Sequence, residues 1–191
     1  MESIRTFIAV ELPGDIKKRL DEVEDSLKAL RIGAKWVAPE SIHLTLKFLG
    51  EISTDTVKGV TDVIEEAALG IPEFRLKVRG LGVFPDPRRV RVVWAGLEGE
   101  VDKLVELQKR LDRGLEKLGF VPESRPFTPH LTLARVRDDT PAVQRQSMAE
   151  LVESTAFEGG EFSVDSLSLM RSQLRREGAI YTRLVSVPLL G

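Results

Sequence analysis

The chain contains no cysteine, which excludes disulfides, zinc–thiolate sites and thiol nucleophiles. It has no run of about 18 apolar residues and no leader-like apolar segment at its N-terminus, so neither a membrane span nor a signal peptide is expected. The expected location is the cytoplasm. Neither sign of charge is in excess: 28 Lys and Arg stand against 30 Asp and Glu, a net of −2. No global attraction to nucleic acid or to an anionic membrane follows, so any polyanion site has to be a local patch. Low-complexity and linker-like stretches are also missing. With 42% hydrophobic and 30% charged residues, the 191 positions are expected to form one domain, residues 1–191.

Histidine is scarce too, and its use is informative. The two histidines, His43 and His130, open the same word: His43-Leu44-Thr45-Leu46 and His130-Leu131-Thr132-Leu133. Thr occupies 10 of 191 positions, so finding it two places after both histidines by chance is about a 1 in 400 event. In a β-strand, residues two apart share a face. Each copy therefore sets one imidazole and one hydroxyl side by side, with the leucines buried behind. A lone histidine in such a strand is more often an ordinary core or edge residue. Two identical copies that use every histidine in the chain favour a shared purpose.

The rest of the chain frames these words. Strands are expected at Arg5–Leu12, Lys35–Ala38, Ile42–Leu49, Phe74–Val83, Val90–Trp94, His130–Val136, Phe162–Met170 and Ile180–Val187. Helices are expected after Asp15 (stripe Ile16, Leu20, Val23, Leu27, Leu30) and over Thr54–Ala68. A third should start at Val101 (stripe Val101, Leu104, Leu111, Leu115, Leu118), and a fourth should run from Pro141 to about Ser154. Gly96–Glu100 reads as a loop, and a basic loop with Arg171, Arg175 and Arg176 joins the last two strands. Pro85–Arg89 has the chemistry of a hairpin turn.

The two words lie 87 residues apart, too far for a solenoid repeat. Each motif strand leads into a helix and a two-strand segment. The fold class expected is α+β. Two pseudo-twofold-related lobes, each an antiparallel sheet with helices on its outer face, would flank a central cleft carrying both motifs.

Histidine titrates near pH 6.5. Two imidazoles across a phosphorus centre can divide the work, one taking a proton from the attacking oxygen and one giving a proton to the leaving oxygen. Each Thr hydroxyl can bind a non-bridging oxygen. Such chemistry needs no metal and no cofactor. The histidines could instead share a metal, but zinc sites usually supply three or four ligands. A phosphohistidine intermediate leaves the repeated Thr without a purpose.

The residues also carry a resemblance to a known family. Arg5-Thr6-Phe7-Ile8-Ala9-Val10, Trp36-Val37, the run His43 to Gly50, Phe84-Pro85, Val93-Trp94-Ala95-Gly96, Phe127 to Arg135 and Leu169-Met170-Arg171-Ser172 occur in order over nearly the whole chain. Together they resemble the 2H phosphoesterase superfamily, in particular the RNA 2′,3′-cyclic phosphodiesterases, also called 2′-5′ RNA ligases. The resemblance implies hydrolysis of a terminal 2′,3′-cyclic phosphate on RNA to a 2′-phosphate, with His43 as general acid and His130 as general base. The residues alone do not say which histidine does which. The resemblance also implies possible joining of RNA ends through a 2′-5′ bond. Its implied partner is RNA with a cyclic phosphate end, tRNA-derived RNA included, acted on by a monomer.

Among the remaining candidates, Arg135 follows the second word and can clamp phosphate. Strict alternation would point it away from His130, so a twist or bulge is required. Lys47 is expected on the His43–Thr45 face, where it could meet RNA. Phe7 or Phe84 could stack on the terminal base, and Arg88, Arg89, Arg91 and the Arg171–Arg176 loop could guide the backbone. Ordinary packing or solvated charge is the competing reading for each. Other function readings stay open: the same chemistry on 2′-5′ oligoadenylate or a small cyclic nucleotide, or a non-catalytic RNA-end-binding protein.

Overall fold

The computed structural model describes residues 2–191; Met1, the first residue of the expected domain, lies outside them. The elements run β1 (Ser3–Glu11), α1 (Gly14–Lys28), β2 (Ala34–Trp36), β3 (His43–Ser53), α2 (Val57–Ala68), β4 (Phe74–Phe84), β5 (Val92–Gly99) and α3 (Val101–Glu116). β6 (Leu131–Val136), α4 (Ala142–Ser154), β7 (Glu158–Val164), β8 (Ser166–Arg175) and β9 (Gly178–Pro188) complete the order. Single 3-10 turns precede β3 and α2.

The class is α+β, as expected. Every strand pair is antiparallel. One sheet has the order β3-β1-β8-β9 and the other β2-β6-β5-β4-β7. Both follow one plan, a motif strand followed by three partners, with β2 added outside β6. The helices exchange sides. α1 follows β1 yet packs on β7 and α4 of the other sheet, and α3 follows β5 yet packs on α2 and β3. α2 and α3 thus cover the first sheet, and α1 and α4 the second.

Helical spacing explains the burial. Ile16, Leu20, Val23 and Leu27 of α1 are buried, as are Leu104, Leu107, Leu111 and Leu115 of α3. Leu30 and Leu118 were expected on those stripes but lie past the helix ends and are exposed. Gly114 sits mid-helix because a Cβ there would come within 2.6 Å of Val63 of α2. Buried residues from both sheets and all four helices form one cluster.

Three strand expectations are corrected. Phe162–Met170 is two strands, β7 and β8, parted at Asp165. Gly96–Gly99 is not loop but the end of β5, with Leu97–Gly99 paired to Leu76–Val78. Arg171 and Arg175 lie within β8, and the connecting turn is only Arg176–Glu177. A polar hairpin with little buried surface lacks the apolar alternation that marks a strand.

Candidate active site

His43 begins β3 and His130 stands just before β6. Each ring is tethered the same way. Nδ1 of His43 donates to the Ser41 carbonyl at 2.9 Å, and Nδ1 of His130 to the Thr128 carbonyl at 2.7 Å. A carbonyl only accepts, so Nδ1 carries the proton in both rings and Nε2 is left for other partners. Each imidazole also meets an aromatic ring edge-to-face. Phe7 lies 5.7 Å from His43 and Tyr181 lies 5.3 Å from it, while Phe84 lies 5.0 Å from His130.

Both histidines and both threonines, Thr45 and Thr132, line one cleft of about 410 Å³. Arg5, Arg135, Phe48, Ser172 and Tyr181 line it as well. Among the described residues no carboxylate does, so a chain of net charge −2 presents here a local basic patch. Among them, too, no group of three or more metal-ligating side chains converges anywhere.

A bulge sits just past each motif threonine. In the β1–β3 register, Ala9 faces Thr45 while Ile8 faces Lys47, so Leu46 is the extra residue. In the β5–β6 register, Trp94 faces Thr132 while Val93 faces Ala134, so Leu133 is the extra residue. A bulge shifts the parity of the strand beyond it. Leu46 and Lys47 are therefore buried in succession, as are Leu133 and Ala134. Phe48 and Arg135 come out on the cleft side at matching positions.

This supplies the bulge that Arg135 requires, and it removes Lys47. The Lys47 ammonium turns inward and donates to Asp112 of α3 at 2.6 Å and to the Val121 carbonyl at 2.9 Å. Phe7 and Phe84 also fall away as stacking platforms. Phe7 is among the residues that line the cleft but is only 5% exposed, wedged among His43, Phe48 and Tyr181. Phe84 lies outside the cleft lining, tilted on Trp94 at 5.1 Å. Both support a histidine instead. Arg88, Arg89 and Arg91 do not line the cleft, and Arg89 pairs with Asp86 at 3.2 Å.

Burial holds His43 below the usual histidine value. Lys17 acts the same way, whereas the hydrogen bond to Ser41 and the charge of Glu11 oppose it.

A family model described as the 2′-5′ RNA ligase superfamily matches residues 13–176. The chain belongs to this superfamily of 2H phosphoesterases. A Methanothermobacter thermautotrophicus protein named RNA 2′,3′-cyclic phosphodiesterase is 38% identical over 180 residues, covering 94% of this chain and 95% of its own. An Aquifex aeolicus protein of the same name is 35% identical over 188 residues, 95% of each chain. The crystal structure of a Thermus thermophilus protein has a TM-score of 0.81 at 32% identity, covering 98% and 99% of the two chains. That of E. coli LigT complexed with 3′-AMP has a TM-score of 0.79 at 26% identity, covering both chains in full. Like these named relatives, this 2H phosphoesterase is an enzyme of the hydrolase class.

Sequence reasoning passed over Phe48, Tyr181, Arg5 and Ser172 of the cleft. Phe48 had a usable signal, since it stands five places after its histidine as Arg135 does. Tyr181, the one tyrosine, lies in an expected strand but reaches the cleft through its pairing with Ser172 of β8, in a stretch expected to be loop.

Proposed function

We propose that this enzyme hydrolyses the terminal 2′,3′-cyclic phosphate of RNA to a 2′-phosphate, without a metal. The observation that carries the reading is the repeated unit: two imidazoles with the same Nδ1 tether, each beside a threonine, on one cleft with two arginines and no carboxylate among the described residues. A water oxygen bonds to phosphorus and passes a proton to Nε2 of His130. The bond from phosphorus to the 3′ oxygen breaks, and His43 protonates that oxygen. Thr45, Thr132 and Arg135 hold the non-bridging oxygens. With an RNA 5′-hydroxyl in place of water, the same displacement joins ends through a 2′-5′ bond.

Burial favours the neutral form of His43, whereas an acid must arrive protonated. The phosphate anion reconciles the two, because a negative charge beside the ring favours imidazolium. The aromatic rings around His43 also suit a cation. The whole chain acts as one bilobal domain and as a monomer, on RNA ends that include tRNA fragments.

The test is product analysis of a short RNA with a cyclic end. A 2′-phosphate product, full turnover in chelator, and a loss of at least about 100-fold in His43→Ala and in His130→Ala are expected. Full activity in either variant, or binding without turnover by the unaltered protein, would overturn the reading.

A further inference from the structure

A second groove, of about 470 Å³, adjoins the cleft. The two share Val37, Ser41, Arg135, Leu174 and Tyr181, so they adjoin along a common wall that includes Arg135. We propose that this groove holds the nucleotide immediately 5′ to the terminal one, making the enzyme selective for RNA ends over free cyclic mononucleotides. The proposal rests on the phosphodiesterase reading above.

Continuity is the first argument. A terminal nucleoside whose cyclic phosphate lies between the histidines can leave the cleft only through its own 5′-phosphate. Arg135, which holds the cyclic phosphate, stands on the wall common to both cavities, so the strand that leaves the cleft beside it meets the second groove. The concavity formed by Asp86 to Arg89 shares no residue with the cleft.

The groove wall is the second argument. Leu174 is 69% exposed and Ile180 43% exposed, and both line the groove. Large apolar side chains left in water beside a binding cleft mark a surface that gains by being covered. With the half-buried Trp36 they offer an apolar bed for a base face. Charge is arranged for the rest of a nucleotide. Lys35 and Arg175 supply cations for a phosphate, and Glu40 and Glu177 can accept hydrogen bonds from ribose hydroxyls or base amino groups.

Backbone pairing holds the bed in place. Lys35 and Trp36 pair with Arg135 and Ala134, and the Val37 amide donates to the Leu133 carbonyl at 2.8 Å. The bulge that turns Arg135 into the cleft thus also anchors the groove. This gives β2 a purpose as the strand added outside the common plan of the two sheets.

The experiment compares a cyclic-ended mononucleotide with the dinucleotide carrying the same terminal base. The variants are Ala38→Trp, which fills the groove from its wall, and Arg175→Glu. The unaltered enzyme is expected to prefer the dinucleotide by roughly 5- to 150-fold in kcat/KM, mostly through KM, the range that one stacked base supplies; both variants should lose that preference while keeping mononucleotide kcat/KM within about twofold. Equal use of the two substrates by the unaltered enzyme would overturn the groove alone. So would variants that lower both substrates by one factor. Turnover of neither substrate would remove the phosphodiesterase reading, and the groove with it.

Discussion

His43 is half-buried between Phe7 and Tyr181, and its pKa lies below the ordinary 6.5 because burial penalises the charged ring. In the role proposed it must hold a proton, so activity falls as pH rises through its pKa. A bound phosphate anion raises that pKa, so the basic limb of kcat is expected at higher pH than the basic limb of kcat/KM. Steady-state kinetics from about pH 5 to about pH 9 measure both limbs. Coincident limbs, or a shift the other way, would take the proton-donor role from His43. The same depression has a linkage sign. The folded form binds its proton less readily than the unfolded chain, so this stability is present above about pH 6.5 and lost as pH falls through the folded pKa. The histidines and threonines were legible because a duplicated word is visible without coordinates. Lys47 and Arg135 were not, because their orientation depends on one extra residue in each strand. Leu46 and Leu133 look like any buried leucine, yet each inverts the face of the residues just after it.

Two contacts between elements hold the motif strands. Lys47 fixes β3 to Asp112 of α3 and to the Val121 carbonyl, with its own side chain 6% exposed and that of Asp112 18% exposed. Removing one partner of such a pair strands the other, so Lys47→Ala is expected to lose about 2–3 kcal/mol, toward the low end for buried pairs because Asp112 is partly solvated. Urea unfolding measures this, and kcat/KM per folded molecule should hardly change. Weaker RNA use at unchanged stability would return Lys47 to the cleft. On the other motif strand, Trp94 of β5 lies across Gly82 of β4, where a Cβ would come within 2.1 Å of the indole. Phe84 leans on that indole and His130 on Phe84. Gly82→Ala should therefore lower both melting temperature and turnover, the latter through a displaced His130. Helices and apolar strands were legible from their periods. The outer part of the β8–β9 hairpin, residues 171–179, was not, because a ribbon without buried side chains is held by backbone pairing, and backbone groups are the same in every residue.

At the scale of the whole molecule, one buried group sets a pH limit. Glu24 of α1 is 0% exposed, neither carboxyl oxygen has a hydrogen-bond partner among the described residues, and the Lys28 ammonium stays 3.7 Å away. Burial raises its pKa from the ordinary 4.5 to about 8, against the pull of Lys28. A raised carboxyl pKa gives stability that is complete below about 4.5 and lost as pH rises through about 8. Between those values this group should lower unfolding free energy by about 1.4 kcal/mol per pH unit. Glu24→Leu is expected to lack that slope and to exceed the unaltered protein in stability at about pH 9, as urea titrations at several pH values would show. Equal slopes would mean that Glu24 is ionised in the fold.

The crossed helices and interleaved strands have a mechanical consequence. A cut after Glu123, in an exposed segment without regular structure, would divide the chain into pieces that each own part of both sheets, since β1 pairs with β8, β5 with β6 and β4 with β7. Limited digestion with a glutamate-specific protease should therefore yield two bands on a denaturing gel but a single peak on gel filtration, with turnover retained. Strand pairing inside each sheet thus joins the two halves of the chain, and a single break in the backbone leaves both cleft walls assembled.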